Sequence, residues 1–256
     1  MRTAAGVNVT VWGDGDPAVF VHGSFAWGEE TWQEQRPLAE HYRLLLIDRR
    51  GFGASPPDGR VDFERDAGDV AELLEGGAHL VGHSYGGVVS LLAAAQRPDA
   101  VRSLTVIEPP AFGVARGDAA VEQLICNIDA ATTATDDPSE YRSLFLRGFG
   151  FPAGTDNLSG LALEAARASM TERPPWEAEI PLDELAAAGL RVLLVQGDWC
   201  PAPDTARALA GAAFRAVCDV LDTRLRAERA VFPSAHSPQR LGAMFNDRLR
   251  AFWEET

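Results

Sequence analysis

The sequence predicts an α/β protein: a doubly wound, mostly parallel sheet with a helical lid inserted between two of its strands. Three observations lead there. Short apolar runs recur along the chain, and their continuous rather than alternating character marks strands buried on both faces. Helical patterns separate them, as in a sheet covered by helices on both sides. One long stretch, Ala111 to Ala186, breaks the alternation. It has no convincing strand and is divided by Pro138, Pro152, Pro174, Pro175 and Pro181.

Taken in order, Val7 to Trp12 reads as an antiparallel edge strand, closed by a Gly13-Asp14-Gly15-Asp16 turn. Pro17 to Val21, Arg43 to Asp48, Ala78 to Gly82 and Val101 to Glu108 follow as strands. Asp66 to Leu74 and Gly87 to Gln96 are helical. Beyond the insertion, Leu190 to Gln196 and the short Arg229 to Phe232 complete the sheet. Ser237 is an N-cap candidate with Pro238 at the first helical position. Leu241, Phe245, Leu249 and Phe252 then recur as one buried stripe. The expected division is a core of residues 1–110 and 187–256 and a helical lid of residues 111–186. A lid there would stand over the carboxyl edge of the sheet.

Composition excludes several classes. The chain is 256 residues long, 46% hydrophobic and 23% charged, within the globular range. Its net charge of −14 repels phosphate backbones and anionic membranes, so neither nucleic acid nor a membrane is an expected partner. All 23 basic side chains are arginine. Without lysine there is no pyridoxal Schiff base and no P-loop lysine. No G-x-G-x-x-G follows the first strand, and Cys126, Cys200 and Cys218 have no metal-binding spacing. No cofactor or metal is expected. The N-terminus lacks a leader pattern and no apolar run is long enough to span a bilayer, which points to the cytoplasm. The expected partner is a small-molecule substrate, with a homodimer the one protein association considered.

Gly82-His83-Ser84-Tyr85-Gly86 matches G-x-S-x-G between a strand and a helix. Glycines flanking Ser84 permit a tight turn that pushes its hydroxyl out of the sheet. The helix behind it aims free N–H groups and a positive dipole end at the same place. Val21-His22-Gly23-Ser24 follows another strand. A turn there would present the Ser24 amide, which with that of Tyr85 makes two oxyanion donors.

These segments, with Asp48-Arg-Arg-Gly-Phe-Gly-Ala-Ser55 and Phe232-Pro-Ser-Ala-His236, occur in an order that resembles the α/β-hydrolase fold superfamily. The resemblance spans most of the chain. It is specific for the fold and not for the substrate. Of the five histidines, His236 alone lies between the last strand and the last helix, where the resemblance implies the catalytic base. Most members carry the acid a few residues past the glycine ending the penultimate strand. Here that stretch reads Gly197-Asp198-Trp199-Cys200-Pro201, with cysteine at the usual position. Other members carry a glutamate after the strand that follows the nucleophile helix, which is the place of Glu108. An unpaired carboxylate beside so apolar a run would be costly. Glu108 is therefore the expected acid, with Asp198 and Asp204 as alternatives.

The expected activity is a serine hydrolase acting on an ester, lactone or thioester of a small to medium apolar substrate. A cyclising acyltransferase or a lyase could use the same site. A binding module with a vestigial site is the non-enzymatic reading, against which the intact Ser84 and His236 stand. The dehalogenase and epoxide-hydrolase chemistries of the fold, which form an ester through a carboxylate nucleophile, are disfavoured because the nucleophile position is serine.

Overall fold

The computed structural model describes residues 1–256 except 2, 4, 5, 58, 153, 155, 156 and 256. Among the described residues the strands are β1 (Val9–Trp12), β2 (Asp16–Val21), β3 (Tyr42–Ile47), β4 (Ala78–His83), β5 (Val101–Ile107), β6 (Val192–Gly197) and β7 (Glu228–Phe232). They form one sheet in the order β1-β3-β2-β4-β5-β6-β7. β1 pairs antiparallel with β3 at the edge, Val9 opposite Ile47, and every other pairing is parallel.

The helices are α1 (Gly28–Trp32), α2 (Phe63–Leu73), α3 (Tyr85–Gln96), α4 (Ala119–Thr132), α5 (Pro138–Gly148), α6 (Gly160–Ser169), α7 (Leu182–Ala187), α8 (Asp204–Ala206), α9 (Ala212–Leu225) and α10 (Ala243–Glu254). Successive strand residues face opposite sides. Val19, Val21, Leu80, Val106 and Leu194 pack into one apolar layer with residues of α2, α3, α4 and α9. Phe20, Leu46, Val81, Ile107 and Val195 pack into the other with Trp32 of α1 and Phe245, Leu249 and Phe252 of α10. Both faces are covered, which is why the strands read as unbroken apolar runs.

Several boundaries differ from the sequence reading, each for a local reason. α2 starts earlier because the Asp62 carboxylate accepts from the Glu64 amide and caps it. β6 starts at Val192 because the chain leaves α7 through Gly189 at φ 64°. Ser237 makes no capping hydrogen bond, and Gly242 at φ 57° separates a short 3-10 turn (Pro238–Leu241) from α10.

The 111–186 insertion holds α4, α5 and α6, and its described residues form no strand. Among them the one ladder contact is an isolated parallel bridge from Glu172 to Val61. Asp118 caps α4, its Oδ1 accepting from Ala120 N at 2.9 Å. Asp137 caps α5 with Pro138 at the first helical position. Among the described residues no helix is long and apolar enough to cross a membrane.

The strand order sets the location of the site. From β2 the chain steps to β3 on one side, and β4 then pairs on the other side of β2. The connections leaving the carboxyl ends of β2 and β4 therefore diverge and open a crevice between them.

Candidate active site

Ser84 stands at this crevice, after β4 and before α3, with φ 53° and ψ −124°. A non-glycine residue in that region is held there by its surroundings at a cost of about 1–3 kcal/mol. Gly86 is required: a Cβ on it would run into the carbonyl oxygens of Val21 and His22. The Ser84 amide donates to Ile107 O at 2.9 Å, tying the turn to the end of β5. Tyr85 is the first residue of α3, so its amide has no carbonyl one turn behind it to bond.

The turn after β2 packs against the same serine. A Cβ on Gly23 would lie 2.8 Å from Ser84 Cβ, so glycine lets the two backbones approach. His22 is fully buried and pins this turn. Its Nδ1–H donates to Gly23 O at 2.7 Å, and its Nε2 accepts from the Arg49 amide at 3.0 Å. Burial holds this imidazole neutral, well below its ordinary titration range. Ser24 and Tyr85 both line the cavity at Ser84.

His236 arrives on the loop after β7. Ser84 Oγ–H donates to its Nε2 at 2.9 Å, and its Nδ1–H faces Glu108 Oε2 at 3.4 Å. Its ring lies against Phe214, Phe149, Trp199 and His83, with the Phe214 centroid 4.6 Å away. This burial lowers the imidazole to about 4, so the ring is neutral and Nε2 is free to accept a proton.

Glu108 follows β5 with φ 46° and no solvent exposure. Its Oε1 accepts from Gly197 N at 2.8 Å and from Trp199 Nε1 at 3.2 Å. Burial pushes the carboxyl up to about 8, against the pull of these two donors toward the anion. Asp198 and Asp204 are engaged elsewhere. Asp198 Oδ1 accepts from Cys200 N at 2.9 Å in its own turn, and the exposed Asp204 pairs with Arg207 at 2.6 Å.

Four participants escaped the sequence reading. Arg49 is 1% exposed and donates to Asp66 at 3.1 Å and to Glu172 at 2.6 Å. Its guanidinium lies between the rings of Phe52 and Tyr85, 4.4 Å from each centroid. Glu172, from the insertion, also accepts from Ser24 Oγ at 2.5 Å and lines the cavity beside Ser84. The insertion thus brings a carboxylate that reaches the core and is matched there. Trp199 supports Glu108 as described. His83, at the variable position of the serine turn, donates from Nε2 to His236 O at 2.8 Å. Burial lowers it to about 3, so it is a neutral strut for the His236 loop. The Arg49-Arg50 doublet after β3 was the one visible hint. Nothing local in Thr171-Glu172-Arg173 marks Glu172.

Two cavities adjoin Ser84. One is lined by Phe112, Ile128, Tyr141, Phe145, Phe149 and Trp176 besides Ser24, Ser84, Tyr85 and Glu172. The other includes His236, His83, Glu30, Arg142, Gln239 and Arg240. Among the described residues no group of three or more His, Cys, Asp or Glu is arranged to hold a metal ion.

The chain is similar to known proteins along most of its length. The model of a family described as "Alpha/beta hydrolase family" matches residues 18–246. A pimeloyl-[acyl-carrier protein] methyl ester esterase of Aeromonas hydrophila is 32% identical over 197 residues, covering 73% of this chain and 71% of the relative. The protein of that name from Methylococcus capsulatus is 33% identical over 194 residues, with the same coverages of 73% and 71%. Among solved structures, an alpha/beta hydrolase from Sphaerobacter thermophilus superposes with a TM-score of 0.67 at 20% identity, covering 99% of each chain.

Proposed function

The chain belongs to the alpha/beta hydrolase family and is an ester-acting hydrolase, and on that premise we propose that it cleaves a small-molecule carboxylic ester, lactone or thioester through Ser84, His236 and Glu108. The observation that carries this reading is the Ser84 hydroxyl donating to a neutral His236 Nε2 at 2.9 Å, with the buried carboxyl group of Glu108 behind the ring. Neutral His236 takes the Ser84 proton as Oγ attacks the carbonyl carbon. Negative charge develops on the carbonyl oxygen, and the Ser24 and Tyr85 amides receive it. Glu108 holds the Nδ1–H tautomer and offsets the imidazolium charge. The imidazolium then protonates the departing oxygen or sulfur, leaving an acyl-serine. Water, deprotonated by His236, attacks the acyl carbon, and the acid leaves as Ser84 recovers its proton. The 111–186 insertion acts as a lid, holding the acyl part among aromatic side chains.

The test is fluorophosphonate labelling at pH 7–8 with the modified peptide mapped. We expect label at Ser84 alone, and none in Ser84→Ala. Ser84→Ala and His236→Ala should each lower kcat by about 10⁴. A folded protein that does not label, or an alanine variant near wild-type activity, would overturn the assignment.

A further inference from the structure

Two peptide planes flank Ser24, and together they aim its amide. In the proposed mechanism that amide receives the charge of the reacting carbonyl oxygen, so whatever holds the planes sets how well it does so.

The first plane joins Gly23 to Ser24. Gly23 O accepts from His22 Nδ1 at 2.7 Å and from the Arg49 guanidinium at 3.1 Å. A trans peptide points its C=O and its N–H in opposite directions. Holding Gly23 O from that side therefore turns the Ser24 N–H away from His22 and Arg49. Both holders lie outside the 111–186 insertion.

The second plane joins Ser24 to Phe25, and the insertion holds it. The Phe25 amide donates to Ser169 Oγ at 2.8 Å, across 144 positions of sequence. Ser169 is the last residue of α6, is 2% exposed and lines the cavity that Ser24 and Ser84 line. Phe25 has φ 61°, a left-handed backbone that phenylalanine keeps only where its surroundings hold it. Its ring packs on Tyr141 and Phe145 of α5, with centroids 5.7 and 4.9 Å away. The end of α6 is itself tied to the core. Val61 N donates to Thr171 O at 3.2 Å, and Arg173 N donates to Val61 O at 2.8 Å. Ser24, through its hydroxyl on Glu172, and Tyr85, through its hydroxyl on Arg173 O, touch the same short stretch.

We propose that Ser169 is a positioning residue of the oxyanion hole: by accepting from the Phe25 amide it fixes the second plane beside Ser24, so the hole is complete only while the end of α6 is seated on the core. Without that acceptor the plane can turn and Phe25 can relax toward ordinary backbone angles, carrying the Ser24 amide with it. This rests on the hydrolase reading above and gives the insertion a part in the chemistry.

The experiment follows fluorophosphonate labelling of Ser84, which needs no substrate. Ser84 Oγ bonds to phosphorus, its proton passes to His236, fluoride leaves, and the phosphoryl oxygen sits in the oxyanion hole. Losing one oxyanion donor costs about 10²–10³ in rate and a misaimed donor keeps part of that, so Ser169→Ala should label about tenfold more slowly than wild type. Trifluoromethyl propyl ketone and its carbinol are then compared as protectants against the label. Ser84 Oγ adds to the ketone carbon, whose oxygen becomes an oxyanion, whereas the carbinol has nearly the same shape and forms none. In Ser169→Ala the ketone should protect about tenfold more weakly and the carbinol within about twofold of wild type, because only the ketone adduct resembles the transition state. A merely distorted pocket would weaken both alike. Ser169→Cys keeps the side-chain shape with a poorer acceptor and should show the same pattern at smaller size; it carries the test if the alanine variant does not fold. An unchanged labelling rate, ketone and carbinol weakening together, or a wild-type ketone that protects no better than its carbinol overturns the positioning role and leaves the hydrolase reading standing. If wild-type Ser84 does not label, the hydrolase reading itself fails and the positioning role falls with it.

Discussion

Trp199 Nε1–H donates to Glu108 Oε1 at 3.2 Å, joining the loop after β6 to the residue after β5. The loop where an acid was the alternative expectation thus supplies donors instead: Gly197 N and Trp199 Nε1 hold a carboxylate that comes from the neighbouring strand. Trp199 reaches it from a left-handed backbone at φ 60°, with its ring stacked on Phe214 at 16°. Trp199→Phe keeps the packing and removes the donor. The bond strengthens as Glu108 ionises behind the imidazolium, and a hydrogen bond to a charged acceptor contributes about 1.5–3 kcal/mol. We expect kcat to fall by about tenfold or more with KM little changed, measured by steady-state kinetics.

Glu108→Gln should reduce kcat by about 10³–10⁴, whereas Asp198→Asn and Asp204→Asn should stay within a few-fold of wild type. The amide would present N–H to His236 Nδ1 and force the proton onto Nε2, which then cannot accept from Ser84. A crippled asparagine variant beside an active Glu108→Gln would move the acid to the loop after β6.

The same substitution tests the carboxyl's burial. Burial raises Glu108 from its ordinary 4.5 to about 8. Between those values the folded state keeps a proton that the unfolded state releases, so wild type loses stability as pH rises through this window. The glutamine side chain of the Glu108→Gln variant does not titrate. The Tm of that variant relative to wild type should therefore increase from pH 5 to pH 8, followed by thermal melts.

The base should work below neutrality. His236 is lowered from 6.5 to about 4 by burial, so it is neutral, and able to accept the Ser84 proton, at pH values where an exposed imidazole is charged. The acid limb of kcat/KM should fall below pH 6. The profile is repeated in Glu108→Gln, where the carboxyl no longer titrates; an apparent pKa of 6.5 or above there would contradict a neutral His236.

Glu172→Ala should destabilise the protein by about 3–5 kcal/mol, because it strips one of two carboxylates from a fully buried guanidinium. It also frees the Ser24 side chain that Glu172 holds. Denaturant unfolding measures the first effect, and a rise in KM reports the second. Gly86→Ala should cost more still, since its Cβ meets two backbone oxygens that cannot move aside.

The sequence by itself determined the fold class and singled out the residues proposed to carry the chemistry. Apolar runs buried on both faces, helices between them and a glycine-flanked serine after a strand are local patterns, because burial and turn sterics act on neighbouring residues. Only the tertiary structure decided which groups meet. Ser84 and His236 are 152 positions apart and Glu108 and His236 128, and their distances depend on how the strands stack and where each loop turns. The proposal of Glu108 over Asp198 and Asp204 rests on burial and donor geometry at the ends of β5 and β6, which no spacing encodes. Glu172 is the extreme case. An exposed-looking glutamate in a proline-divided stretch became a buried partner of Arg49 and Ser24, because a charge can be buried only where the fold brings its counter-charge.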